Sequence, residues 1–237
     1  MKTLIKAVSC AAIMTATGFV GAAADDASEQ VRALDTFTSI RNKGSFEVYV
    51  TVGDTQSVKV TADSDIIDKV ETEVRGDTLH IELENNKSWR GYRNIDVLRV
   101  DITVENLEAV RVDGSGDFEV RGLSGGDFKA DVNGSGDIEL IDAKADRLSI
   151  GVRGSGDVEA SGECNTLDVE VKGSGDVSGR KMSCKDGVIG IMGSGDVSAT
   201  LNESVDVDIM GSGDVTVWGK PEKVKSRSMG SGDVVLR

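Results

Sequence analysis

The tetrapeptide Gly-Ser-Gly-Asp occurs seven times, starting at Gly114, Gly134, Gly154, Gly173, Gly193, Gly211 and Gly230. Successive copies lie 20, 20, 19, 20, 18 and 19 residues apart. A period of about 20 residues marks a repeat architecture in which each copy stacks on the one before. The segments leading into the anchors alternate in polarity, as in Phe128-Lys-Ala-Asp-Val132, Leu167-Asp-Val-Glu-Val171 and Val205-Asp-Val-Asp-Ile209. Period-two alternation is the mark of a strand with one buried face. The residues after each anchor alternate more briefly, as Phe118 and Val120 or Ile138 and Leu140 do. One repeat therefore reads as strand, Gly-Ser-Gly corner, strand and a polar return such as Asp142 to Arg147. In the last repeat, Lys225 and Arg227 are read at positions where apolar residues are expected.

Helices are excluded, because each segment carries several glycines at a cost of roughly 1 kcal/mol apiece in a helix interior. A hairpin meander has no reason to keep one corner at one spacing. The expected fold is all-β: a right-handed parallel β-helix-like coil of about seven turns, with coils about 4.8 Å apart and seven anchors spanning roughly 29 Å. The glycines supply positive φ at the corner and let stacked corners approach closely.

The ladder is preceded by Val100-Asp-Ile-Thr-Val-Glu-Asn-Leu107 and Val110-Arg-Val-Asp-Gly-Ser-Gly116. Phe37-Thr-Ser-Ile40, Val58-Lys-Val60 and Leu79-His-Ile-Glu-Leu83 lie further upstream. With these segments the chain resembles the bacterial putative auto-transporter adhesin, head GIN domain family over about residues 35 to 237. The resemblance implies a β-helix-like domain of the bacterial envelope and brings no catalytic residues with it.

Residues 1–24 read as a secretory signal: Lys2 and Lys6, an apolar run from Ala7 to Val20, and Ala22-Ala-Ala24 before Asp25. Ala7-Val-Ser9 is a poor lipobox for Cys10. No later run has the ~18 apolar residues of a membrane span. The net charge is −14; without the leader it is 25 basic residues against 41 acidic, or −16. So acidic a surface argues against nucleic acid and anionic membrane as partners. Residues 25–34 read as a flexible segment, and 35–237 as one domain with regular repeats from about 107. Residues 35–106 read as the less regular start of the same coil, with Gly44-Ser45-Phe46 as a decayed corner and Ile66 to Val74 open between helix and strand.

Several residue sets are candidates for chemistry. Asp117, Asp137, Asp157, Asp176, Asp196, Asp214 and Asp233 should form one column. Carboxylates about 4.8 Å apart repel by roughly 1 kcal/mol in water. A row of Ca²⁺ ions would offset that, but one Asp per coil supplies few of the oxygens such an ion needs. The favoured reading has each carboxylate accept backbone N–H bonds at its own corner. No cofactor is expected otherwise. Cys164 and Cys184 each lie nine residues before an anchor, so adjacent coils should bring them within disulfide range. Two buried thiols are the alternative. Trp89, Arg90, Tyr92 and Arg93 form the most binding-like cluster. Gly122-Leu-Ser-Gly-Gly126 matches a nucleophile-elbow pattern at Ser124 without the strand-to-helix context, and His80 is the only histidine.

The expected function is non-enzymatic: an exported protein of the periplasm or cell surface that binds a glycan or envelope protein along a rigid acidic side. A polysaccharide hydrolase or lyase on the same scaffold is the alternative, but it needs non-repeating acids and bases that the ladder does not show. A third reading is a structural unit that self-associates through coil ends, since Val234-Val-Leu-Arg237 offers no obvious cap. The 237 residues leave no room for a translocator barrel after the coil.

Overall fold

The computed structural model describes residues 27–84 and 95–237. The expected leader and the cluster Trp89, Arg90, Tyr92 and Arg93 lie outside the described residues. The chain winds into a β-solenoid of about 6 turns, close to the seven expected.

The first strands are β1 (Ala27–Arg32), β2 (Ser39–Lys43), β3 (Glu47–Val52), β4 (Ser57–Asp63), β5 (Val70–Arg75), β6 (Thr78–Leu83) and β7 (Leu98–Val104). β2 and β3 flank Gly44-Ser45-Phe46, which is a working corner. Gly44 O accepts the N–H of Ser115 at 3.1 Å and Phe46 O accepts that of Asp117 at 2.9 Å. Phe46 replaces the second glycine of later corners and is fully buried.

From there the chain does not simply climb. β6 and β7 pair in parallel with β2 and β3 on one side. β8 (Ala109–Gly114) and β9 (Asp117–Arg121) pair with them on the other. β5 pairs antiparallel with β6, β4 with β7, and β1 with β4. Antiparallel strands thus close the N-terminal end, where a plain continuation of the coil is expected. The reversal is local chemistry: Gly76 takes φ +69 in the turn between β5 and β6. Residues 67–69 form a single 3-10 turn before β5, which resolves the ambiguous segment. Ala27–Arg32, expected to be flexible, is strand, because its backbone pairs with β4 along its whole length.

Beyond β9 the coil is regular. Its strands are β10 (Asp127–Gly134), β11 (Ile138–Gly154), β12 (Val158–Gly173), β13 (Val177–Gly193), β14 (Val197–Gly211), β15 (Val215–Trp218), β16 (Lys223–Gly230) and β17 (Val234–Leu236). Each of the long strands β11 to β14 wraps three sides. The exit side follows a corner, the return side crosses back, and the approach side leads into the next corner. Register is unbroken on the approach side, as in Val132↔Val152↔Val171↔Ile191↔Ile209. It is equally regular on the exit side, from Ile138↔Val158 to Val215↔Val234. The return side, expected as a polar loop, is paired backbone too, through Ala145↔Cys164↔Cys184. Ala143, Ala145, Met182 and Leu201 point inward there and complete the core. A fully buried Val, Ile or Leu contributes about 1.5–3 kcal/mol, so these thin layers suffice without large rings.

The two glycines of a corner do different work. Gly154 has φ +133, and a Cβ on it would sit 2.1 Å from the carbonyl oxygen of Gly134. Gly156 has no positive φ, yet its Cβ would lie 2.0 Å from Gly136 O. The first glycine answers backbone conformation and close stacking together; the second answers stacking alone.

The last coil corrects one reading. Lys225 pairs in register with Asp206 and Arg227 with Asp208, both outward positions. Their side chains form ion pairs there, at 3.8 and 2.9 Å. The inward positions are Val224, Ser226 and Ser228, opposite Val205, Val207 and Ile209. A one-residue shift in a strand exchanges its faces, so the expected inward positions of Lys225 and Arg227 are outward ones.

Candidate acidic binding face

The exit side carries the densest array of like charge. Its outward column nearest the corner runs from Glu47 through Asp117, Asp137 and Asp157 to Asp176, Asp196, Asp214 and Asp233. Two residues on, a second column reads Tyr49, Glu119, Glu139, Glu159, then Ser178, Ser198, Thr216 and Val235. Over the first four coils the two columns line a shallow groove of about 460 Å³ with seven carboxylates. Farther along, hydroxyls replace the glutamates while the aspartates continue.

Each of the first six anchor aspartates is held from behind. Oδ1 of Asp117 accepts the backbone N–H of Asp137 at 2.9 Å, and the pattern repeats through every coil to Asp214 and Asp233 at 2.8 Å. The carboxylate therefore does not bond within its own corner; its donor is the aspartate one coil later. This offsets the repulsion along the column and fixes one oxygen of each group, leaving the other to face solvent. Among the described residues no three His, Cys, Asp or Glu side chains are grouped so as to hold a metal ion.

Around the groove the glutamates are partly neutralised, Glu119 by Arg121 at 2.6 Å and Glu159 by Lys181 at 3.0 Å. Tyr49 closes the N-terminal end under the Arg99 guanidinium, 4.0 Å from the ring centroid. Burial and the Glu47 carboxylate push its hydroxyl up, against the pull of Arg99.

The approach side is balanced instead. Asp131 is 5% exposed and takes the Lys129 ammonium at 2.8 Å between Arg111 and Arg153, each at 3.9 Å. Gly151 leaves it room, since a Cβ there would lie 2.5 Å from Asp131 Oδ1. Burial pushes the Asp113 carboxyl up, but hydrogen bonds from Asn133, Arg41 and Arg111 outweigh it and hold it below the ordinary carboxylate range.

A disulfide joins Cys164 and Cys184 on the return side, with Cα atoms 4.5 Å apart. Ser124 sits on that side in a lone bridge to Lys144. His80 stands on β6 of the approach side, with Nδ1 buried and unbonded. The two stand on different sides of the coil, with β2 between β6 and the β8–β9 coil that leads to Ser124, so the structure assembles no nucleophile–base pair from them. Sequence reading overlooked Glu119, Glu139 and Glu159, although their constant place two residues after an anchor aspartate was available. It also overlooked Trp218, which packs under Arg180 at 4.1 Å and Arg237 at 5.4 Å. That contact joins coils whose return lengths differ, so spacing alone did not reveal it.

The family model for the putative auto-transporter adhesin, head GIN domain matches residues 36–221. The chain belongs to this family. The head GIN domain shares its fold with solved structures. A putative adhesin from Bacteroides fragilis is 18% identical with a TM-score of 0.80, over 90% of this chain and 98% of that one. A putative lipid binding protein from Parabacteroides distasonis is 23% identical with a TM-score of 0.72, over 90% and 97%. A putative adhesin from Parabacteroides merdae is 17% identical with the same TM-score and coverage. At these identities the likeness is one of fold. Comparison with curated proteins finds no match. No helix among the described residues of this head GIN domain is long and apolar enough to cross a membrane.

Proposed function

We propose that this head GIN domain is an exported, non-enzymatic binding module that holds its partner along the acidic exit face. The observation that carries the reading is the double column of carboxylates at the strand pitch, whose aspartates are anchored from behind by backbone N–H groups. A rigid row of like charge is prepaid in conformational entropy and suits an extended partner with regularly spaced cationic or hydroxyl groups: a glycan bearing amines, or a basic segment of an envelope protein. Membership of an adhesin family and adhesin-named neighbours of the same fold support a role at the envelope or cell surface.

Two experiments test it. Protease shaving of intact cells, with an internal periplasmic protein as control, should digest this protein while sparing the control; full protection places it inside the envelope and removes the adhesion role. Binding of the purified protein to envelope fractions should weaken with salt and be lost in the triple variant Glu119→Gln, Glu139→Gln, Glu159→Gln. Unchanged binding by that variant rules out the exit face.

A second reading has its own observation. Val224 and Leu236, at inward positions of the last coil, are 40% and 51% exposed beside the strand edges of β16 and β17. That end suits pairing with a second copy. A monomer at all concentrations in light scattering excludes it.

A further inference from the structure

The chain has six methionines. Met1 and Met14 fall in the expected leader, and Met182 is fully buried on the return side. The other three share one outward column of the approach side, in direct register as Met192↔Met210↔Met229. They are 38%, 45% and 59% exposed. In the preceding coils the same column holds Asn133, Arg153 and Lys172, the polar residues a solvated strand face ordinarily carries. Three adjacent thioethers at a strand pitch of about 4.8 Å replace them.

The surroundings keep these sulfurs accessible. In the neighbouring column Gly190 stands beside Met192, and a Cβ built on it would meet nothing closer than 3.9 Å. The charged residues alongside are already paired, Asp208 with Arg227 and Asp206 with Lys225. Lys172, next to Met192 in the column, places its ammonium on Glu170. Among the described residues, the cationic heads beside the methionines, Lys172, Lys225 and Arg227, are thus each drawn to a carboxylate.

From this we infer that Met192, Met210 and Met229 form a binding site for one soft monovalent cation, Cu(I) or Ag(I). Thioether sulfur is a neutral, polarisable donor that selects such ions over hard ones. The unbranched side chain is flexible enough for the outer two sulfurs to lean toward the middle one. The negative charge of the whole chain favours a cation. No proton is displaced, because a thioether has none to lose.

Ag(I) is the probe, since it needs no reductant that would open the Cys164–Cys184 bond. The full chain carrying Cys10→Ser, which removes the one cysteine outside that bond, is titrated with silver nitrate in chloride-free buffer. Native mass spectrometry and calorimetry are the readouts. The expected result is one Ag(I) per chain, with affinity unchanged between about pH 5 and 8, where a histidine ligand would titrate. Met210→Leu should weaken binding at least tenfold or about 1.4 kcal/mol, with an unchanged melting temperature. His80→Ala and Lys172→Leu should leave binding as it was. Equal affinity in Met210→Leu, or loss in His80→Ala, overturns the assignment.

Discussion

Oδ1 of Asp137 accepts the backbone N–H of Asp157 at 2.7 Å, across the boundary between two coils. Each carboxylate thereby acts on the coil after its own. Replacing Asp157 by alanine leaves the N–H of Asp176 without its acceptor and should cost about 1 kcal/mol in urea unfolding. Asp157→Asn keeps an amide oxygen in place and removes a charge from a repelling column, so it should be neutral or stabilising. A larger loss in the asparagine variant than in the alanine variant contradicts this account.

Corner glycines should be far less replaceable than turn glycines. Gly154→Ala drives a Cβ into Gly134 O and should destabilise by about 3 kcal/mol or more, or prevent folding. Gly76 also has positive φ, but nothing lies within 4 Å of its Cβ. Gly76→Ala should cost only about 1 kcal/mol of backbone strain. Thermal melts of the two variants side by side decide the matter.

The Cys164–Cys184 bond closes a sequence separation of 20 residues. In the chain-entropy model that corresponds to about 3 kcal/mol. The double variant Cys164→Ala, Cys184→Ala should unfold at correspondingly lower urea, and a reductant should shift the wild type toward it while leaving the variant unmoved.

Asp113 and His80 make stability depend on pH in the same direction. Asp113 is held low in the folded chain, so the unfolded chain takes up its proton first. Its contribution is complete above the unfolded carboxyl value of about 3.9 and is lost as pH falls through the folded value. Asp113→Asn should flatten the fall in stability below about pH 4. His80 is also lowered, by burial and then by Lys43, Arg75 and Arg41, against Glu82. Its neutral form is favoured in the fold, so that contribution is present above about pH 6.5 and is lost on acidification. Unfolding midpoints from pH 7 to 5 should fall less steeply in His80→Gln, and an identical slope removes His80 from the account.

The regular coil was legible because one tetrapeptide fixes corner, parity and period together. Gly44-Ser45-Phe46 was readable as a corner because Gly44 and Ser45 keep their places in the ladder. The N-terminal closure was not legible: the alternation in Ser57–Asp63 and Thr78–Leu83 is that of a strand in either direction, and only pairing decides. The return side was missed because its inward residues, such as Ala143, Ala145 and Cys164, are too small to read as a strand. Lys225 and Arg227 take outward positions once the last repeat is framed on Met229, which stands directly before its anchor as Met210 does.

The irregular steps between anchors have a definite location. The register shifts fall between Leu140 and Ala143, Glu159 and Ser161, Gly179 and Ser183, and Cys184 and Asp186. All lie on or beside the return side, while both flanking sides stay in phase. A residue gained or lost there is absorbed before the next corner, so a lineage can vary that surface, or duplicate a whole coil, without disturbing the spacing of the carboxylates opposite. Heritable change is thereby channelled to one side of the molecule, and the array on the other is inherited as a ruler with fixed divisions.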